Sequence, residues 1–177
     1  SAGIAAFTRD GLRVVKTQGR ISNLEEKIQE EGGLDCTCGI GHTRWATHGE
    51  PSDRNSHPHL GGRDGKGKVA VVHNGIIENY KDLRESLEAH GYTFQSETDT
   101  ETVAHLVDYL HTGKQEDLAQ TVLSAVQRIR GSYALGVVSM DNPEEIVAAR
   151  RDNPLVIGIG EGENMIASDI TAIISRT

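Results

Sequence analysis

Arg44, Trp45, Thr47 and His48 put a guanidinium, an indole, a hydroxyl and an imidazole within five positions of the run Gly41-His42-Thr43-Arg44-Trp45-Ala46-Thr47-His48-Gly49. An arginine fork holds a carboxylate through two parallel N–H bonds, and an indole beside it keeps water away, so such a loop can grip a small polar ligand. About thirty residues later His73-Asn74-Gly75 closes an apolar run. There the Asn74 side-chain amide and the Gly75 N–H can converge on one point, as the donors of an oxyanion hole do. The same dipeptide is also a common turn. Asp99 lies between Thr98 and Thr100 at the start of a helical pattern. Its carboxylate can cap that helix or face the amino group of a ligand. If Arg44 and Asp99 share a pocket, they offer opposite charges to the two ends of an α-amino acid. The plain alternative for the Arg44 stretch is a surface loop with an ordinary salt bridge.

These groups need strands and helices to hold them. Apolar runs from Ala2 to Phe7 and from Leu12 to Thr17 flank Thr8-Arg9-Asp10-Gly11, which predicts an opening β-hairpin. Ser22 with Glu25 reads as a capping box and Gly32-Gly33 as a stop, giving a short helix from Leu24 to Glu31. Cys36 to Arg44 alternates like a strand, Val69 to His73 like a strand buried on both faces, and the polar stretch between Trp45 and Lys68 like a functional loop. Three helices follow. Asn79 caps the first, Thr98 with Glu101 boxes the second with Gly113 as its stop, and Leu118, Val122, Val126 and Ile129 stripe the third. Four short β-like runs from Tyr133 to Ala167, separated by Asp-Asn-Pro and Gly-Glu-Gly turns, predict an antiparallel meander. Strands, then paired helices, then strands again indicate sheets covered by helices, not alternating parallel βαβ units.

Composition narrows the possible functions. The 177 residues suit one domain of residues 1–177, and 18 basic against 26 acidic residues leave a net charge of −8, which disfavours a nucleic-acid partner held through phosphates. No apolar stretch approaches the roughly 18 residues of a membrane helix, so the chain reads as cytoplasmic with no membrane partner. Cys36 and Cys38 sit too close for an ordinary disulfide framework, which also suits a reducing compartment. Cys36, Cys38, His42, His48, His57, His59 and His73 crowd the first half and raise a metal-binding module as a rival. A Cys-x2-Cys pair is missing, buried strand cysteines usually act as small hydrophobes, and we expect no metal and no cofactor.

The runs Gly41 to Gly49, His73-Asn74-Gly75-Ile76-Ile77-Glu78-Asn79 and Ser96-Glu97-Thr98-Asp99-Thr100-Glu101, in that order and spacing, resemble the class II glutamine amidotransferase domains of the glucosamine-6-phosphate synthase family. Ser1-Ala2-Gly3 and Glu163 to Asp169 extend the likeness over essentially the whole chain. The sister glutaminase domains of amidophosphoribosyltransferases usually carry Val-Arg-Tyr-Ser-Thr where Thr43-Arg44-Trp45-Ala46-Thr47 stands here, so they resemble it less. The resemblance implies an α+β fold of the N-terminal nucleophile hydrolase type, a four-layer αββα sandwich, that hydrolyses L-glutamine. By position, Arg44 holds the glutamine α-carboxylate, and Asp99 with the Gly75 backbone holds the α-amino group. Asn74 and Gly75 form the oxyanion hole, while Trp45, Thr47 and His48 belong to the loop covering the substrate. The ammonia then passes to a sugar-phosphate isomerase domain that makes glucosamine 6-phosphate from fructose 6-phosphate in a homodimer.

The family starts on its catalytic cysteine, which its own α-amine activates, and this implies a first strand and helix ahead of Ser1. The chain without them is expected to be inactive in glutamine hydrolysis. Cys38-Gly39-Ile40-Gly41 imitates that start, but its place before His42-Thr43-Arg44-Trp45 identifies the later strand. Ser1 matches an internal serine of the family and is not expected to be the nucleophile. A catalytically silent glutamine-binding domain is the remaining alternative.

Overall fold

Arg9 and Asp10 reverse the chain between β1 (Ala2–Thr8) and β2 (Gly11–Thr17), with Gly11 taking a φ of +109° that favours glycine at the turn. The computed structural model describes residues 1–44, 52–64, 67–111 and 117–177. The other edge of β1 pairs antiparallel with β3 (Gly39–Thr43), giving a three-stranded sheet in the order β2-β1-β3. A second antiparallel sheet runs β4 (His59–Gly61), β5 (Val69–Ile77), β6 (Gly131–Ser139) and β7 (Asn142–Arg151).

The unbroken apolar run of β5 follows from its place between two packed layers. Val69 and Val71 face a core shared with α2 (Tyr80–Ala89), α3 (Asp99–Leu110) and α4 (Leu118–Val126). Ala70 and Val72 face the other sheet, where they meet Ala5 and Ile40. On the far side of that sheet, Leu24 and Ile28 of α1 (Ile21–Glu30) pack on Ala2, Ile4 and Val15. The layers are therefore helix, sheet, sheet and helices, the αββα arrangement expected, and the mixed α+β class holds.

Several local expectations give way to longer-range bonds. The Ser22–Glu25 box does not form, because α1 begins earlier, after Arg20, with no side-chain cap. Asn79 does precede α2, but its side chain accepts from Arg130 N and donates to Arg128 O, so it ties the helix start to the entry of β6. Asp117, not foreseen as a cap, accepts the Ala119 N–H at the start of α4. Strand β4 lies inside the stretch expected to be loop. The expected meander divides in two: its first two runs pair as β6 and β7, and its last two, β8 (Val156–Ile159) and β9 (Asn164–Ala167), form a separate two-stranded ribbon. Gly113 lies outside the described residues.

Candidate active site

β3 and β5 belong to different sheets, and their ends meet at a cavity of about 550 Å³. Gly41, His42 and Thr43 of β3, His73 and Asn74 of β5, and Asn164 of β9 are among the residues that line it. Asn74 is thus a cavity residue on a strand and not part of a free turn. Arg44, Gly75 and Asp99 do not line it. Trp45, Thr47 and His48 lie outside the described residues.

Asn74 is held from across the sheets. His42 Nε2 lies 2.6 Å from Asn74 Oδ1, and since an amide oxygen only accepts, the imidazole N–H is the donor. The His42 ring rests against His57, with centroids 4.4 Å apart, and His57 lies 5.1 Å from His59. The His73 N–H donates to His57 Nδ1 at 3.4 Å. His73 Nδ1 is hydrogen-bonded to Thr100 Oγ1 at 3.0 Å, and His59 Nε2 to Thr98 Oγ1 at 2.9 Å. The four imidazoles therefore link β3, β4 and β5 to the first turn of α3.

Burial pushes all four of these histidines below the ordinary imidazole value. The Arg44 charge pushes His42, His57 and His59 in the same direction, whereas the Asp99 carboxylate opposes the shift at His73. The neutral cluster is thus flanked by a cation and an anion. These are the two residues the sequence singled out as a complementary pair, and each acts electrostatically on the histidines around Asn74. Asp99 opens α3, where the helix dipole favours a negative charge, and its Oδ2 accepts the Ile77 N–H at 2.8 Å. That bond fixes the end of β5 just beyond Gly75.

Gly75 has a φ of +130°, and a Cβ there would lie 2.1 Å from the Ser132 carbonyl oxygen. Neither its backbone conformation nor its contact with β6 accepts a side chain. The expected Thr98–Glu101 box is also replaced. Glu101 accepts the N–H groups of Gln95 and Ser96 and the Ser96 hydroxyl, and the Thr98 hydroxyl is hydrogen-bonded to His59 and Ser96. This arrangement shapes the turn that delivers Asp99.

Of the rival metal-binding set, His48 lies outside the described residues. The histidines engage Asn74, Thr98, Thr100 and backbone, and no group of three or more His, Cys, Asp or Glu among the described residues is arranged to hold a metal ion. Cys38 lies ahead of β3 and does not line the cavity. Burial, with Cys36 and Glu144 adding to it, pushes its thiol up, the opposite of what a nucleophile needs. The Ser1 ammonium donates to the Arg44 carbonyl at 3.1 Å, as a continuation of the β1–β3 pairing. The Thr100–His73 and His42–Asn74 pairings carried no signal in the sequence, because both depend on contacts between distant segments. His57 and His59 were visible only as part of a histidine-rich stretch.

A family profile for the glutamine amidotransferase domain matches residues 42–175, from within β3 to beyond the last ribbon. The chain belongs to that family. This amidotransferase domain is 53% identical over 177 residues to the glutamine–fructose-6-phosphate aminotransferase (isomerizing) of Clostridium tetani, covering 100% of this chain and 28% of that protein. It is 50% identical over 177 residues to the enzyme of the same name from Thermus thermophilus, with the same coverage of each. The chain therefore spans 28% of the length of these relatives. Among solved structures, it resembles the glutamine phosphoribosylpyrophosphate amidotransferase of B. subtilis with a TM-score of 0.76 and 28% identity, over 98% of this chain and 36% of that one. An allosteric regulatory enzyme of purine biosynthesis matches with a TM-score of 0.79 and 29% identity, over 98% and 36%. The fold of the amidotransferase domain is that of the N-terminal nucleophile hydrolases. The gap between 53% and 28% identity makes the amidophosphoribosyltransferase-like reading the weaker one.

Proposed function

We propose that this domain is the glutamine-hydrolysing part of a glutamine–fructose-6-phosphate aminotransferase. It supplies ammonia to a sugar-phosphate isomerase domain of the same homodimeric enzyme, which converts fructose 6-phosphate to glucosamine 6-phosphate. The carrying observation is the placement of Asn74. It stands at the cavity wall with its amide held by His42, next to a Gly75 that admits no side chain, and the Arg44 and Asp99 charges flank the cluster behind it.

In this reading Arg44 pairs with the α-carboxylate of glutamine, and Asp99 with the Gly75 backbone receives its α-amino group. The Asn74 amide and the Gly75 N–H stabilise the oxyanion formed when a thiolate attacks the side-chain carbonyl. Among the described residues no thiol lines the cavity, so binding and oxyanion stabilisation are the parts assigned to this chain's own groups. Trp45, Thr47 and His48 are assigned to covering the bound substrate.

The test is ammonia release from L-glutamine by the full natural protein. Arg44→Ala is expected to raise KM strongly, because a bidentate charge-assisted pair is the largest single polar contact available to the ligand. Asn74→Ala is expected to lower kcat by about 10²–10³, the usual loss for one oxyanion donor. Glutamine binding without hydrolysis by the full protein would instead identify a silent glutamine-binding domain. Unchanged glutamine affinity of Arg44→Ala in calorimetry would remove Arg44 from the site.

A further inference from the structure

We propose that His42 is a positioning residue that sets the orientation of the Asn74 amide for the oxyanion step, an inference that rests on the glutamine-hydrolysis reading. An asparagine amide is two-fold about its terminal torsion, and only one of the two orientations presents N–H donors to an oxyanion. The other presents the carbonyl oxygen and repels the developing charge. His42 Nε2 sits 2.6 Å from Oδ1, so the oxygen is tied to the imidazole and the NH₂ occupies the opposite branch of the amide. Among the described residues that NH₂ has no hydrogen-bond acceptor, which leaves its two donors for a ligand.

The ring that does this is itself fixed. His42 lies on β3 and Asn74 on β5, so the bond crosses from one sheet to the other. His57 packs on the ring at 4.4 Å and is held by the His73 N–H, and β1 packs so tightly on the His57 backbone that a Cβ on Gly3 would lie 2.1 Å from the His57 carbonyl oxygen. Burial keeps His42 neutral near neutral pH, with its proton on Nε2 required by the bond to Oδ1. A neutral donor orients Asn74 without adding a fixed positive charge beside the reacting centre. His42 acts through Asn74 and contacts neither the nucleophile nor the scissile bond in this scheme.

The experiment is a double-mutant cycle on glutamine hydrolysis in the full natural protein. His42→Phe keeps an aromatic ring but has no donor, and His42→Gln keeps an N–H donor. Each is made alone and in the Asn74→Ala background. His42→Phe is expected to lower kcat by about 10–100-fold, part of the value of a full oxyanion donor, with KM changed by less than about twofold. His42→Gln is expected to recover most of that loss. In the Asn74→Ala background His42→Phe is expected to cost nothing further, because the amide it orients is gone.

An undiminished loss in that background, a His42→Gln variant as slow as His42→Phe, or a kcat for His42→Phe equal to wild type would each overturn the proposal. Thermal melts accompany every variant. If His42→Phe does not fold, His42→Met replaces it in the same cycle under the same criteria. Absence of glutamine hydrolysis by the wild-type protein would overturn the functional reading itself, whereas an active wild type insensitive to His42 would overturn only the positioning role.

Discussion

Replacing Glu101 by Gln tests whether the turn that delivers Asp99 is organised by one buried carboxylate. Glu101 is 5% exposed and accepts from Gln95 N at 2.8 Å, Ser96 N at 2.7 Å and Ser96 Oγ at 2.6 Å, with His105 Nε2 3.5 Å away. Burial alone would raise its pKa, but His105 and the donors of Gln95 and Ser96 win and hold it down to about 2. Holding a carboxyl at about 2 instead of 4.5 corresponds to about 3 kcal/mol of preference for the ionised form. Two or three hydrogen bonds to a charged acceptor give the same order. Gln keeps the shape but turns an NH₂ toward groups that are themselves donors.

The expected loss is therefore about 3 kcal/mol at pH 7, a shift of roughly 1–2 M in the urea midpoint. Because the folded pKa is depressed, the carboxylate's contribution is complete above pH 4.5 and disappears as the pH falls toward about 2. The gap between wild type and Glu101→Gln should thus be constant from pH 8 down to 5 and narrow only below that. A loss under about 1 kcal/mol at pH 7 would refute the view that Glu101 anchors the turn.

Gly75→Ala is expected to destabilise the domain by about 3 kcal/mol or more, since a Cβ meets the Ser132 carbonyl in a backbone conformation side chains avoid. Calorimetry should show a melting temperature lower by roughly 6–12 °C, and a change within about 2 °C would mean that the strand yields at this point. The four buried histidines predict loss of stability in weak acid. Their folded pKa values lie below 6.5, so the unfolded chain takes up protons first, and stability is full above pH 6.5 and falls as the pH drops toward the folded values. Each histidine costs up to about 1.4 kcal/mol per pH unit in that window, so the urea midpoint should fall clearly between pH 7 and pH 5. Equal midpoints at the two pH values would show that these rings are not buried neutral.

Local physics determined much of this protein from the sequence by itself. Asp10-Gly11 between two apolar runs makes the first hairpin, because the turn needs the positive φ that Gly11 supplies. The continuous apolar run of Val69 to Val72 marks a strand with two buried faces, and the stripe of α4 marks a helix with one packed side, whereas α3 is buried all round from Thr100 to Val107. The three motif runs carried the family, since residue type and order along the chain are sufficient for that.

Tertiary structure decided what the motifs do with their neighbours. Thr98 and Glu101 have the spacing of a capping box, yet His59 competes for the Thr98 hydroxyl from 39 residues away, and the Gln95 and Ser96 N–H groups take the carboxylate. Strand β4 pairs with β5 although its three residues, His59-Leu60-Gly61, are too few to show a strand pattern, because the pairing partner supplies the order. The 2.6 Å bond from His42 to Asn74 spans 32 positions and two sheets. Rules of spacing reach three or four residues along the chain, whereas the partners of Asn74, Thr98 and Glu101 are groups that the fold brings near from beyond that reach.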